Sequence, residues 1–242
     1  MDAHIWAAII TGSCTITATV LTLVWASRKR RRHADSLVRE SGSPQKVIEP
    51  PRVELLRILI AGSSRYRGSD ATLELFRQTC QEVGRELAAR GLHLVVGSWA
   101  PDTADVLVLD SFIASRGCRV TIAGIEEKPQ SWWLAKVGSA AKATFFQVPG
   151  SWDSTGRSVQ AQHSDAVFII GGAQGVVDLS KNSDFAKHRI VATPQLGAAA
   201  KSIWDRRVRA RAMAVSPDCV RRLESGTASE VANAGLDLLS LL

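Results

Sequence analysis

Gly62 to Arg65 (GSSR), Gly97 and Ser98, and Gly171 to Gly175 (GGAQG) each follow an apolar run and replace it with glycine and small polar residues. Where side chains are missing a ligand can touch the backbone, and a helix starting just beyond adds free N–H groups and the positive end of its dipole. GSSR and GGAQG both stand between an apolar run and a helical pattern, a context that suits phosphate or a phosphate-linked ribose. The hydroxyls of Ser63, Ser64 and Ser98 can add hydrogen bonds, and Arg65 or Arg67 can pair with phosphate oxygens. The expected pocket therefore comprises Gly62, Ser63, Ser64, Arg65, Gly97, Ser98, Gly171, Gly172, Ala173, Gln174 and Gly175, with no catalytic residue and no metal ligand.

Stretches so far apart in sequence need a scaffold that gathers them. Leu55 to Ala61 is a β-type apolar run, and a helix capped by Ser69 or Asp70 follows, with Leu73, Phe76, Cys80, Val83 and Leu87 along one face. Gly91 ends that helix, and Leu92 to Val96 resumes a strand, which completes a βαβ unit. The pattern repeats with a helix from Asp102 or Thr103 to about Ser115, a strand from Arg119 to Ala123 ending at Gly124, and a short strand from Thr144 to Val148. Helices over 157–164, 176–187 and 197–209 then alternate with strands over 166–170 and 189–193. Strands that are apolar on both faces and alternate with amphipathic helices imply a doubly wound, mostly parallel, Rossmann-like α/β sheet. In such a sheet ligands collect at the carboxyl ends of the strands, where Gly62, Gly97, Gly124 and the Gly171–Gly172 pair are all expected. Beyond about Met213, residues 217–223 and 228–242 suit helices that either pack on the sheet or form an assembly surface.

Several classes of function are disfavoured. No GxGxxG follows the first strand and no GxxxxGK[ST] occurs, so neither a dinucleotide dehydrogenase nor a P-loop NTPase is indicated. The four cysteines are widely separated and lack CxxC spacing, which argues against a disulfide framework or a zinc site and for reduced thiols. The net charge of +7 is concentrated in the run Arg28 to Arg32, and the arginines near 206–211 suit a solvated helix face, so no nucleic-acid partner is expected.

The chain opens with residues 5–26, IWAAIITGSCTITATVLTLVWA, which carry no charge; as a helix they would span roughly 33 Å, one hydrocarbon core. Trp6 and Trp25 near its ends and the SRKRRRH that follows identify a transmembrane helix with its C-terminal side in the cytoplasm. The expected placement is single-pass in the inner membrane, with the N-terminus outside. Its threonines and serines, with Gly12, suit close helix association as well as a lone anchor. Residues 27–52 read as a basic linker containing Pro and Ser, and 53–242 as the folded domain.

HSDAVFIIGGAQGVVDL, followed by KHRIVATPQLGAAAKSIW, resembles the second half of the SLOG superfamily, and ILIAGSSR resembles its first strand and glycine-serine loop. Within the superfamily the likeness is greatest to the STALD branch, associated with sirtuin and TIR domains in Thoeris-type antiphage systems. That resemblance implies a sensor without a cofactor, whose ligand is a cyclic ADP-ribose isomer made by a TIR-domain partner. It also implies a homo-oligomer that perturbs membrane lipid when the ligand binds. Asp178 falls at the acid position of the LOG enzymes' PGGxGTxxE pattern, and here is expected near ribose hydroxyls. The chain departs from that pattern at Ile170 and Val176, and it lacks the arginine-lysine pair those enzymes carry on an earlier helix. The expectation is therefore binding without hydrolysis. The alternatives are a membrane-tethered nucleoside monophosphate phosphoribohydrolase and a non-catalytic interaction protein.

Overall fold

The computed structural model of the chain describes residues 55–64, 69–125, 130–139, 141–148 and 154–242. The expected membrane span and linker lie outside these residues, as do Arg65 and Arg67. Among the described residues no helix is long and apolar enough to cross a membrane.

Six strands make one sheet: β1 (Arg57–Ala61), β2 (His93–Val96), β3 (Arg119–Ile125), β4 (Lys142–Val148), β5 (Ala166–Ile169) and β6 (Arg189–Ala192). Their order is β4-β3-β2-β1-β5-β6 and every pairing is parallel. Between them run α1 (Asp70–Ala89), α2 (Ala104–Ala114), α3 (Gln130–Val137), α4 (Ser154–Gln162) and α5 (Gln174–Lys181). After β6 come α6 (Ala198–Ile203), a π-helical segment (Trp204–Val208), α7 (Arg209–Val215), α8 (Pro217–Ser225) and α9 (Ala228–Leu241). All four residues of β5 are buried, as are the last three of β2 and of β6, which a strand achieves only when both sheet faces are covered. The Rossmann-like expectation is met, with a sheet that is parallel throughout.

The chain builds outward from β1 to β4, then crosses back to place β5 on the other side of β1. The switch in winding direction therefore falls between β1 and β5, where adjacent loops diverge and leave a crevice. At the opposite, amino-terminal edge the same two strands are clamped by Arg57 and Asp165. The guanidinium donates to both carboxylate oxygens, at 3.0 and 2.7 Å, and the Arg57 amide donates to Oδ2 at 2.9 Å. This direct pairing holds the Asp165 carboxyl below its usual range.

The last helix belongs to the core. α9 packs against α1 and β6. Its Leu236, Leu238 and Leu239 are buried, and Gly235 lets the Phe168 ring so close that a Cβ there would lie 2.3 Å from Cζ. A Thr227–Glu230 capping box starts the helix, each side chain bonding the other's backbone N–H.

Several elements differ from the sequence reading: the helix expected over 157–164 runs Ser154–Gln162, the strand expected over 144–148 starts at Lys142, and the helix expected over 197–209 is divided by the π-helical segment. β3 runs through Gly124 to Ile125, so Gly124 lies inside a strand opposite Gln147 and does not end one. Its missing side chain makes room for the buried Trp133, whose Nε1 would stand 3.1 Å from a Cβ. Trp133 sits on α3, a helix the sequence reading lacks: QSWWLAKV is eight residues long and shows little amphipathic periodicity. The helix expected over 176–187 instead starts at Gln174 and stops at Lys181, because Asn182 leaves helical geometry and its Oδ1 accepts the Asp184 N–H at 2.8 Å to start a new turn.

Candidate functional site

The loops that leave β1 and β5 are pressed backbone to backbone. A Cβ on Gly62 would come within 1.8 Å of the Ile170 carbonyl oxygen, and Gly62 holds φ at +151°. Gly172, with φ at +98°, donates its N–H to the Ser63 carbonyl at 3.0 Å, and Gly171 donates to Thr193 Oγ1 at 3.3 Å. These glycines thus bring two loops together. The Ser64 amide and hydroxyl are likewise committed, both donating to the Asp102 carbonyl at 3.0 and 3.3 Å.

A cleft of about 380 Å³ opens over this junction, at the switch point between β1 and β5. Of the residues expected in the pocket, Gly62, Ser63, Ser98, Ala173 and Gly175 line it. Ser64, Gly97, Gly171, Gly172 and Gln174 stand beside or behind the lining, and Arg65 is outside the described residues. Asp178 is exposed on α5, where its Oδ1 accepts the Gln174 side-chain amide at 2.7 Å; it too is absent from the lining.

Two charged lining residues escape the sequence reading. Asp105, on the first turn of α2, is only 4% exposed. Its Oδ1 accepts the N–H groups of Gly97 at 2.8 Å and Ser98 at 3.0 Å, so the amides expected to meet a ligand hold this carboxylate instead. Burial pushes its pKa up to about 6, against the lowering effect of those two amides, of Asp105's own amide and, more weakly, of the Arg157 charge. Arg157, on α4, donates to Gln160 Oε1 at 3.0 Å and to the Gly175 carbonyl at 3.3 Å. Burial lowers its own pKa, opposed by the charges of Asp105 and Asp178, yet a guanidinium stays protonated at any physiological pH.

The sequence signals for both were slight. Asp105 is one of only two charged residues in the otherwise apolar helix ADVLVLDSFIA, and it falls on the turn that is buried. Arg157 and Gln160 occupy i and i+3 of a short helix, on the face that carries buried Ala161. A polar residue on a burying face needs a reason, and here the reason is the cleft.

α5 begins at the same cleft. Its first turn has no acidic residue and no side-chain cap, and Ala173, Gln174 and Gly175 are exposed. Their amides and the helix dipole favour an anion beside Arg157. Trp99, half-buried, and Thr103, whose hydroxyl donates to the Ala100 carbonyl at 2.6 Å, complete the wall nearest Asp105. Among the described residues no group of His, Cys, Asp and Glu is arranged to hold a metal ion. The cleft can thus take a ligand with an anionic end at α5 and hydrogen-bond donors at Asp105.

No known family profile and no curated protein matches the chain. Among solved structures it is similar to a structural-genomics target titled the X-ray structure of TM1055, at 19% identity and a TM-score of 0.47, covering 62% of this chain and 81% of that one. Fold and site together define a Rossmann-like α/β protein with a polar, charged cleft at its topological switch point.

Proposed function

We propose that the domain binds a phosphorylated ribonucleoside in the β1/β5 cleft, with the phosphate at the start of α5 beside Arg157. The observation that carries this reading is the placement of Arg157 and an uncapped helix N-terminus on the wall of one cleft, with a buried carboxylate on the same lining. Anion sites of this type draw on backbone amides, dipole and guanidinium together. The sequence resemblance narrows the ligand class to AMP-like and ADP-ribose-like molecules.

The second reading, hydrolysis of the N-glycosidic bond, is favoured by one feature. A carboxyl with pKa near 6 in a cleft can stabilise developing positive charge on a ribose ring or exchange a proton near neutral pH. The wider reading treats the chain as an inner-membrane effector that senses a cyclic ADP-ribose isomer, works with a TIR-domain partner, and oligomerises when it binds. It rests on the resemblance and on residues outside those described. Incubating the purified full-length chain with AMP or ADP-ribose, with calorimetry and chromatography of the products, separates these possibilities. Saturable binding without release of base supports a binding module, and free adenine or ribose phosphate supports the hydrolase. No binding and no product overturns both. Crosslinking with and without ADP-ribose tests the assembly step, which fails if the oligomer distribution does not change.

A further inference from the structure

Asp105 has an unused oxygen. Oδ1 takes both loop amides, whereas Oδ2 accepts no hydrogen bond from any other described residue, the remaining amide acting on the carboxylate being Asp105's own, and Oδ2 is not sealed from the cleft that Asp105 lines. The buried Cys80 thiol also feels the carboxylate, its pKa pushed upward by burial and then by the Asp105 charge, so it stays neutral and gives Asp105 no counter-charge. The cationic group that acts on it is Arg157, through its charge and without a hydrogen bond between the two.

A buried carboxylate held by two rigid amides and open at one oxygen accepts from donors and repels anions. In a phosphorylated ribonucleoside seated with its phosphate at α5, the donors within a few bonds of the phosphate are the ribose hydroxyls. We infer that Asp105 is the specificity-determining residue that reads the ribose diol, so that the cleft selects ribonucleotides over their deoxy counterparts. This rests on the nucleotide-binding reading above. A site built to hydrogen-bond a substrate hydroxyl rejects the analogue lacking it, because its own buried polar group is then left unpaired. The exocyclic amine of a base is the competing donor.

The experiment compares AMP with 2′,3′-dideoxy-AMP by calorimetry on the full-length chain at pH 8, in wild type, Asp105→Asn and Arg157→Ala. Wild type is expected to prefer AMP by at least about tenfold. Asp105→Asn keeps an oxygen for the loop amides, and its preference should fall below about threefold. Arg157→Ala should weaken both ligands together and leave the ratio in place, which a purely structural role for Asp105 would not produce. The preference should also shrink at pH 5, where the carboxyl is protonated and no longer a charged acceptor. A wild type that binds both nucleotides equally overturns the inference, as does an unchanged ratio in Asp105→Asn. Loss of the preference in a hypoxanthine-for-adenine swap assigns Asp105 to the base amine and overturns it too. If wild type binds neither nucleotide, the cleft reading itself has failed, a result distinct from equal binding. Should Asp105→Asn lose its cooperative thermal transition, Asp105→Glu provides the same comparison with the charge retained but displaced; an unaltered ratio there contradicts the inference.

Discussion

The two edges of the sheet each carry an aspartate and an arginine, and the pairs behave in opposite ways. At the amino edge Arg57 grips Asp165 directly, joining β1 to β5 and holding the carboxyl ionised to lower pH than usual. At the carboxyl edge Asp105 and Arg157 line one cleft without bonding each other, and burial leaves the acid half-protonated near pH 6. A satisfied pair stabilises a fold, whereas a separated pair in a cleft leaves charge available to a ligand. The same residue types thus serve structure where they meet and binding where they are kept apart.

The largest effect expected of a single substitution lies at the junction between these edges. Gly62→Ala would push a methyl into the Ile170 carbonyl at a φ that L-residues avoid, and should destabilise the domain by more than about 3 kcal/mol in urea unfolding. A loss under 1 kcal/mol would mean that the two loops separate easily.

The pH dependence of stability should carry opposite signs for the two acids. Asp105 is raised from 3.8 to about 6, so the folded state holds an extra proton between those values. Stability from this group is full below about pH 4 and falls as pH rises through 6, by about 3 kcal/mol. Asp165 is lowered, so its contribution is present above the ordinary carboxyl range and is lost as pH falls. Denaturation curves from pH 4 to 8 should therefore show a decline in wild type that is absent in Asp105→Asn. An identical decline in both would locate the titration elsewhere.

Arg157→Ala should weaken nucleotide binding by about 10- to 100-fold while the melting transition stays cooperative, since the residue lies on the cleft wall, bonding Gln160 Oε1 and the Gly175 carbonyl, and not in the hydrophobic core. Asp165→Ala should do the reverse. It should cost about 1–2 kcal/mol of stability, limited by the 40% exposure of the side chain, and leave affinity unchanged. Smallest of all, Asp178→Asn should alter affinity by less than about threefold, because the residue bonds Gln174 on the outer face of α5. A large effect there would return Asp178 to the ribose.

The sequence made the scaffold legible because β5 and its neighbours are apolar on both faces and the helices between them are amphipathic. The glycine loops after β1 and β5 were legible too, and Gly62, Ser63, Ala173 and Gly175 from them line the cleft. What the sequence did not reveal depended on contacts distant in sequence. Asp105 looked like an ordinary first-turn acid until the fold brought it to Gly97 and Ser98. Arg157 read as one more polar residue until α4 was laid beside α5. Gly124 resembled a strand end because the tryptophan that fills its space lies on a helix with little periodicity. Gly171 and Gly172 were read as open to a ligand, but their amides are spent on Thr193 and Ser63.

The most direct test is a calorimetric titration of the full-length chain with ADP-ribose, run side by side on wild type, Arg157→Ala and Asp165→Ala. Saturable binding that Arg157→Ala weakens at least tenfold and Asp165→Ala leaves intact is the predicted result. Equal loss in both variants, or binding insensitive to Arg157, would contradict the assignment of the carboxyl edge as the binding site.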